Sequence, residues 1–194
     1  MINIAVEGPL DEEAAKAVVA AAGHEIGKVY PAGGKTELDP KVPNYCRAAA
    51  YGGPGWVVFR DSDGHCPVEL RGKLLSNADV PEGSFDLRIA CTMIEAWLMA
   101  DARGFSEFFQ VRVGEIPQDP DSLDHAKQSL LSLVKRFGKG SIQDDVVTKD
   151  GQTGPLYTHR LNEFARDHWN VEAAMENSPG LERAVRRLGE LRAD

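Results

Sequence analysis

Four short apolar runs, each stopped by a polar turn and followed by an amphipathic stretch, set the tightest limit on how this chain can fold. Ile2 to Val6 is the first, ended by Glu7-Gly8-Pro9. Glu25 to Tyr30, Trp56 to Phe59 and Leu87 to Cys91 are the others. Between them the pattern predicts helices over Asp11 to Ala22, Lys41 to Tyr51 and Pro67 to Leu75, with a further helix from Thr92 through Ala100. Strands that alternate with helices in this way predict a parallel sheet with helices on both faces. Trp56-Val57-Val58-Phe59 lacks polar alternation, as a strand covered on both sides should. Asp11, Glu12 and Glu13 lie in the first turn of their helix, where the dipole favours acids.

The character changes after Gly114. Ser122 to Phe137 is amphipathic and helical, Gly138 to Pro155 reads as a mobile polar loop, and Pro155 to Trp169 and Ser178 to Leu191 give two more helices. The expected organisation is an α/β domain over residues 1–113 with a helical extension over 114–194 packed on it. Trp97, Leu98, Phe105, Phe108 and Phe109 read as core or interface groups. At 194 residues the chain can bury roughly 70% of its unfolded surface without staples. Its 42% hydrophobic and 27% charged composition excludes a disordered chain, a collagen and a coiled coil.

Lys and Arg total 22 against 30 Asp and Glu, a net charge of −8. Such a chain lacks the global positive field of a nonspecific nucleic-acid binder, so a polyanionic substrate needs a local basic patch or bound metal ions. Three cysteines, with no Cys-x-x-Cys pair, argue against a zinc knuckle and a disulfide framework and fit a reducing, cytoplasmic setting. No basic segment precedes the first apolar run, so a signal peptide is not expected. No apolar run approaches the roughly 20 residues that span a bilayer, so no membrane association is expected.

The chemistry-bearing residues cluster at strand ends. Glu7 follows the first strand, Asp61 and Asp63 the third, and Glu95 the fourth. In open α/β sheets the ligand crevice lies outside the carboxyl ends of the strands. Carboxylates converging there repel one another unless cations neutralise them, and hard oxygen ligands suit Mg²⁺ or Mn²⁺. If the segment is extended, Asp61 and Asp63 face the same side and can address one metal. Bland readings stand beside these. Asp61-x-Asp63 can be a simple turn, Glu7 a partner for the next helix, and Glu95 the acid of a Thr92-x-x-Glu95 capping box.

Val6-Glu7-Gly8-Pro9, Asp61-Ser62-Asp63-Gly64 and the run from Ile94 to Asp101 resemble an uncharacterised bacterial family of TOPRIM-like proteins, often encoded beside AAA-type ATPases in apparent phage-defence loci. Gly154-Pro155-Leu156-Tyr157, Phe164-Ala165, Trp169 and the stretch from Ser178 to Ala184 are similar to that family's C-terminal helices. The resemblance implies a TOPRIM-like four-stranded parallel sheet flanked by helices, with a helical C-terminal extension. It also implies Glu7 near the scissile phosphate as general acid/base or metal-linked carboxylate, and Asp61 and Asp63 as holders of Mg²⁺, with Mn²⁺ as substitute. By similarity to OLD-type nucleases, Glu95 and Asp101 are candidates for a second metal; Asp101 can instead cap the next turn. The implied activity is Mg²⁺-dependent phosphodiester hydrolysis of nucleic acid, as a nuclease effector partnered by an ATPase. The alternatives are a non-catalytic partner subunit of an ATPase, or a Mn²⁺-dependent nucleotide-sugar transferase; the latter leaves Glu7 and Glu95 unexplained.

Among the basic groups, Lys35 sits in a glycine-rich loop above the strand ends, and Arg71 and Lys73 lie just beyond the acidic loop, all three candidates for phosphate contact. Gly33-Gly34-Lys35-Thr36 imitates the end of a P-loop, but Val29 stands where the first glycine belongs and no helix clearly begins at Lys35. Asp61-Ser62-Asp63-Gly64 opens like an EF-hand, yet His65 and Cys66 break the calcium-loop pattern. His65 and Cys66 read instead as a loop histidine and a buried cysteine. Arg183, Arg186 and Arg187 share the last helix, either as a solvated face or as a groove for nucleic acid or a partner.

Overall fold

Strands β1 (Ile2–Val6) and β3 (Gly55–Asp61) lie side by side in the middle of a four-stranded, all-parallel sheet, with β2 (Ile26–Pro31) and β4 (Phe85–Ala90) at its edges. The order is β2-β1-β3-β4. The computed structural model describes residues 1–90 and 93–192, so the expected end of the fourth strand at Cys91 and the capping-box residue Thr92 lie outside the described residues. After β2 the chain crosses back over β1 to build β3, so the winding reverses between β1 and β3. In sheets of this kind the reversal opens a crevice at the carboxyl ends of those two strands.

The strands are joined through α1 (Glu12–Ala21), α2 (Lys35–Leu38) with α3 (Val42–Ala50), and α4 (Pro67–Leu75). Period-two alternation divides the sheet between two cores. Ile2, Ile4, Val6, Val57 and Phe59 enter a large apolar core with Ala14, Val18 and Val19 of α1. Ala5, Val58, Phe85 and Leu87 enter a smaller one with Leu38, Val42 and Cys46. Each fully buried aliphatic or aromatic side chain contributes on the order of 1.5–3 kcal/mol.

The large core does not stop at the sheet. It runs on through α5 (Ile94–Ala100), α6 (Ala102–Phe109), α7 (Ala126–Phe137), α8 (Gly140–Val146), α9 (Tyr157–Asp167), α10 (Val171–Asn177) and α11 (Pro179–Leu188). Every residue of α5 is buried, with Trp97 and Met99 fully enclosed. Phe105, Phe109 and Phe164 stack edge-on and tilted at 4.3–5.8 Å between ring centres. Trp97, Phe105 and Phe109 are core, in line with the core or interface role expected of them. Among the described residues no helix is long and apolar enough to cross a membrane.

Local departures from expectation have local causes. The segment from Gly138 to Pro155 is not a loop throughout: it contains α8, because Ile142 and Val146, four residues apart, bury on one face, and a Val147–Thr153 bridge closes the turn that follows. The helix expected from Ser122 begins only at Ala126, after a 3₁₀ turn over Pro120–Ser122. Helices α6 and α10 were not expected. Each is started by a side-chain cap, Asp101 onto the Gly104 amide and Asn170 onto the Ala173 amide. A one-turn helix does begin at Lys35, while Val29 still excludes a P-loop. Cys66 is exposed rather than buried, because it precedes the first turn of α4 at the surface; Cys46 is buried.

Candidate functional site

Strand β3 runs two residues further than its apolar run suggests, and those two residues organise the site. Arg60 and Asp61 are its last members. Alternation sends Arg60 to the face of Val58 and Asp61 to the face of Val57 and Phe59.

Arg60 is 4% exposed and gathers three carboxylates. Its Nε donates to Asp39 Oδ1 at 2.9 Å, and its Nη1 donates to Glu7 Oε1 at 3.0 Å and to Asp63 Oδ2 at 2.8 Å. Nη1 also donates to the Asp61 carbonyl. Asp63 receives a second cation, Lys35 Nζ, at 2.9 Å. Burial acts against the Asp63 charge, but the hydrogen bonds from Lys35 and Arg60 outweigh it, and its carboxyl sits below the ordinary value. Asp63 adopts φ +49°, the left-handed region that Asp tolerates better than most residues. The segment is therefore not extended at Asp63, and the alternation expected to align it with Asp61 does not reach it.

Glu7 joins the two faces. Its Oε1 accepts the Asp61 amide at 2.9 Å as well as Arg60. Burial raises its carboxyl above the ordinary value, against the pull of the Asp61 amide and Arg60. The Gly33 and Gly34 amides both donate to the Glu7 carbonyl, at 2.9 and 2.7 Å. Their φ values of +95° and +117° permit that double approach, which also seats Lys35 over the rim.

On the other face none of the acids pairs with a guanidinium among the described residues. Asp61 Oδ1 accepts the Ile94 amide at 3.1 Å and so caps α5 across the sheet. Asp11 and Glu95 are 8% and 2% exposed. Asp11 Oδ2 accepts the Gly8 amide at 3.0 Å, and Glu95 Oε1 accepts the Tyr157 hydroxyl at 2.8 Å. Asp61 keeps slight residue exposure. Even so, burial, then repulsion from Asp11, Glu95, Glu7 and Asp63, raises its carboxyl well above the ordinary value. Burial, then repulsion from Glu95 and Glu7, lifts Asp11 to about 7 against a stabilising Gly8 amide. Burial, then the Glu95 charge, also raises the Tyr157 hydroxyl.

The remaining candidates fall elsewhere. Asp101 Oδ1 accepts the Gly104 amide and Oδ2 the Asn170 amide, both at 2.9 Å, so it acts as a cap and a tether between α6 and α10. Arg71 donates to the Leu87 carbonyl at 3.3 Å and to Asp86 at 3.4 Å. Leu87 is three rows before Ala90, the partner of Asp61, which places that contact on the order of 10 Å down the strand from the rim. Lys73 is exposed on α4. Arg60, Asp39, Asp11 and Tyr157 belong to the site without having been expected there. A cation inside an apolar strand next to an acid pair is the signal that could have found Arg60, since a buried charge demands a partner.

The chemistry of the donors suits a hard divalent cation: Asp61, Asp11 and Glu95 place excess carboxylate charge in an enclosed region and have no ion-pair partner among the described residues. Among the described residues, however, no three Asp, Glu, His or Cys side chains already stand at coordination spacing. No protein-family model matches this sequence, and no curated protein or solved structure matches it either.

Proposed function

We propose that the chain is a Mg²⁺-dependent phosphodiesterase acting on nucleic acid, with a TOPRIM-type acidic rim, working in the cytoplasm beside an ATPase partner. The single observation that carries this reading is the meeting of Glu7 and Asp61 across the β1/β3 reversal, with Asp11 and Glu95 crowded behind them. Repulsion among these acids is a standing demand for positive charge, which protons meet at low pH and a divalent cation meets at neutral pH.

In this reading Asp61, Glu95 and Glu7 would hold the ion, with Asp11 adding charge from behind. A bound Mg²⁺ supplies Lewis-acid polarisation of the phosphoryl oxygen and a more acidic water. Glu7, whose carboxyl is raised and which is 19% exposed at the side chain, is suited to give or take a proton at the oxygen that Arg60 and the Asp61 amide do not hold. Lys35 stands at the open side of the rim, where its ammonium can orient a phosphate. Asp63 stays ionised and keeps Lys35 in place.

The test is incubation of the purified protein with plasmid, single-stranded DNA and RNA in Mg²⁺, Mn²⁺ or EDTA. Cleavage that requires metal and disappears in Asp61→Asn and Glu7→Gln is the expected result. Metal-dependent cleavage that survives in both variants overturns the assignment.

One observation favours a second reading, a non-catalytic partner subunit of an ATPase. Arg60 already engages Glu7, Asp39 and Asp63, so part of the rim is neutralised from within. Calorimetry with Mg²⁺ and Mn²⁺ separates the two, since this reading requires no heat of binding at the rim and no cleavage.

A further inference from the structure

Six of the 22 basic residues of this acidic chain line one edge of the sheet. Among the described residues β4 has no strand beyond it. A groove runs along that edge between α4 and α11, in two lobes of about 550 and 380 Å³. Six guanidinium groups line it: Arg71, Arg88, Arg183, Arg186, Arg187 and Arg192. Arg71, Arg88 and Arg187 border both lobes, so the lobes form one track. Three carboxylates, Glu82, Asp86 and Glu190, share the lining and leave the guanidiniums in excess.

Those guanidiniums are only partly occupied. Asp86 receives both Arg71 and Arg88, Glu190 receives both Arg186 and Arg187, and Arg186 also reaches Glu182 at 3.6 Å. Arg183 and Arg192 have no carboxylate partner among the described residues. Arg88 keeps a buried Nε with no hydrogen-bond partner among them. Arg183 and Arg187 lie one turn apart on one helix face, about 6 Å along the axis. That separation is on the scale of successive phosphates in an extended strand.

The track also has a direction. Its second lobe includes Pro67 and Ile89, and Ile89 precedes Ala90, the partner of Asp61. Pro67 in turn borders a further cavity of about 560 Å³ that contains Ser62, Gly64 and His65 of the acidic loop. We propose that this arginine track binds the phosphate backbone of a nucleic-acid strand and leads it along β4 to the acidic rim. Its purpose at the rim rests on the phosphodiesterase reading; its binding chemistry does not. All six groups are arginine, the side chain that forks onto phosphate, and exposed aromatic groups for base stacking are absent from the lining. Recognition is therefore of backbone rather than sequence. An added peptide strand fits less well, because Arg71 already takes the Leu87 carbonyl on the open edge of β4.

The experiment is fluorescence anisotropy of a labelled 20-nucleotide single strand in EDTA, with duplex and RNA of the same length alongside. Arg183→Glu combined with Arg187→Glu weakens binding at least tenfold, while Arg103→Glu, on the exposed face of α6, changes it less than twofold. If four phosphates are engaged, affinity falls about fifty-fold between 50 and 200 mM salt. Arg183 and Arg187 are exposed, and unchanged thermal melting of the double variant excludes misfolding. Absent binding, or equal binding by the groove variant, overturns the track and leaves any metal-dependent cleavage at the rim standing. Intact, groove-dependent binding without cleavage supports the track and overturns the phosphodiesterase reading instead. Displacement of the strand by an equal concentration of polyglutamate overturns it in favour of an acidic protein.

Discussion

The two faces of β3 meet the same problem differently. Arg60 and Asp61 are neighbours on one strand, yet their side chains leave on opposite sides. On the Arg60 side three carboxylates share one guanidinium and the Asp63 charge is favoured. On the Asp61 side Asp61, Asp11 and Glu95 have hydrogen-bond donors but no ion-pair partner among the described residues, and Asp61 and Asp11 are pushed toward their neutral forms. The difference teaches that strand parity, rather than distance along the chain, decides which acids are neutralised from within and which stay open to a proton or an ion.

The largest effect should come from removing the shared cation. Arg60→Met leaves Glu7, Asp39 and Asp63 facing one another, and a loss of about 3–5 kcal/mol in urea denaturation is expected. A loss below about 1 kcal/mol would show that this face does not depend on Arg60 and would break the contrast.

The opposite sign is expected on the other face. The Asp11 carboxyl titrates at about 7 in the fold against 3.8 ordinarily. Between those values the folded state holds a proton that the unfolded chain has released, so stability falls as pH rises from about 4 to about 7 and levels off above. Asp11→Asn removes that share of the decline. It should exceed the parent by on the order of 2–4 kcal/mol at pH 8 and show little gain at pH 4, read by denaturant titration at both values.

Mg²⁺ sharpens the same contrast. If the rim takes the ion, Mg²⁺ at a hundredfold excess over its Kd stabilises the parent at pH 8 by about 2.7 kcal/mol, seen as a rise in Tm. Asp61→Asn should lose most of that rise, whereas Asp101→Asn, at a carboxylate already committed to two amides, should keep it. A smaller effect is expected from Tyr157→Phe, which strands Glu95 in a buried site without its hydroxyl and costs about 1–3 kcal/mol by thermal or urea unfolding. Smallest of all, Arg183→Gln should change stability by less than about 0.5 kcal/mol, because the side chain is exposed and without a carboxylate partner among the described residues.

The alternation of apolar runs and helices was enough to read the parallel sheet, and the acids at strand ends were enough to read where Glu7 and Asp61 meet. What escaped was long-range partnering. Arg60 looked like the start of a loop because a charge ended the apolar run, although the strand continued and buried it. Asp11 satisfied a first-turn rule by itself, so nothing local marked it as a member of the rim. Tyr157 reaches Glu95 across 62 positions, and only tertiary packing, with α9 held against α1 and α8, creates that bond. The short helices α6 and α10 were missed because their amphipathic faces are brief and their caps, Asp101 and Asn170, are single residues.

The C-terminal end of helix α11 and the residues just beyond it are fastened to segments made much earlier: the Leu188 carbonyl meets the His24 ring at 2.7 Å, and the Arg192 amide donates to the Gly83 carbonyl at 2.7 Å. During translation, then, β1 to β4 emerge with Arg71 and Arg88 at that edge but without the four arginines that residues 179–192 supply. A nascent chain stalled or cut before residue 179 would therefore carry Glu7, Asp61 and Glu95 but only two of the six guanidinium groups of the groove.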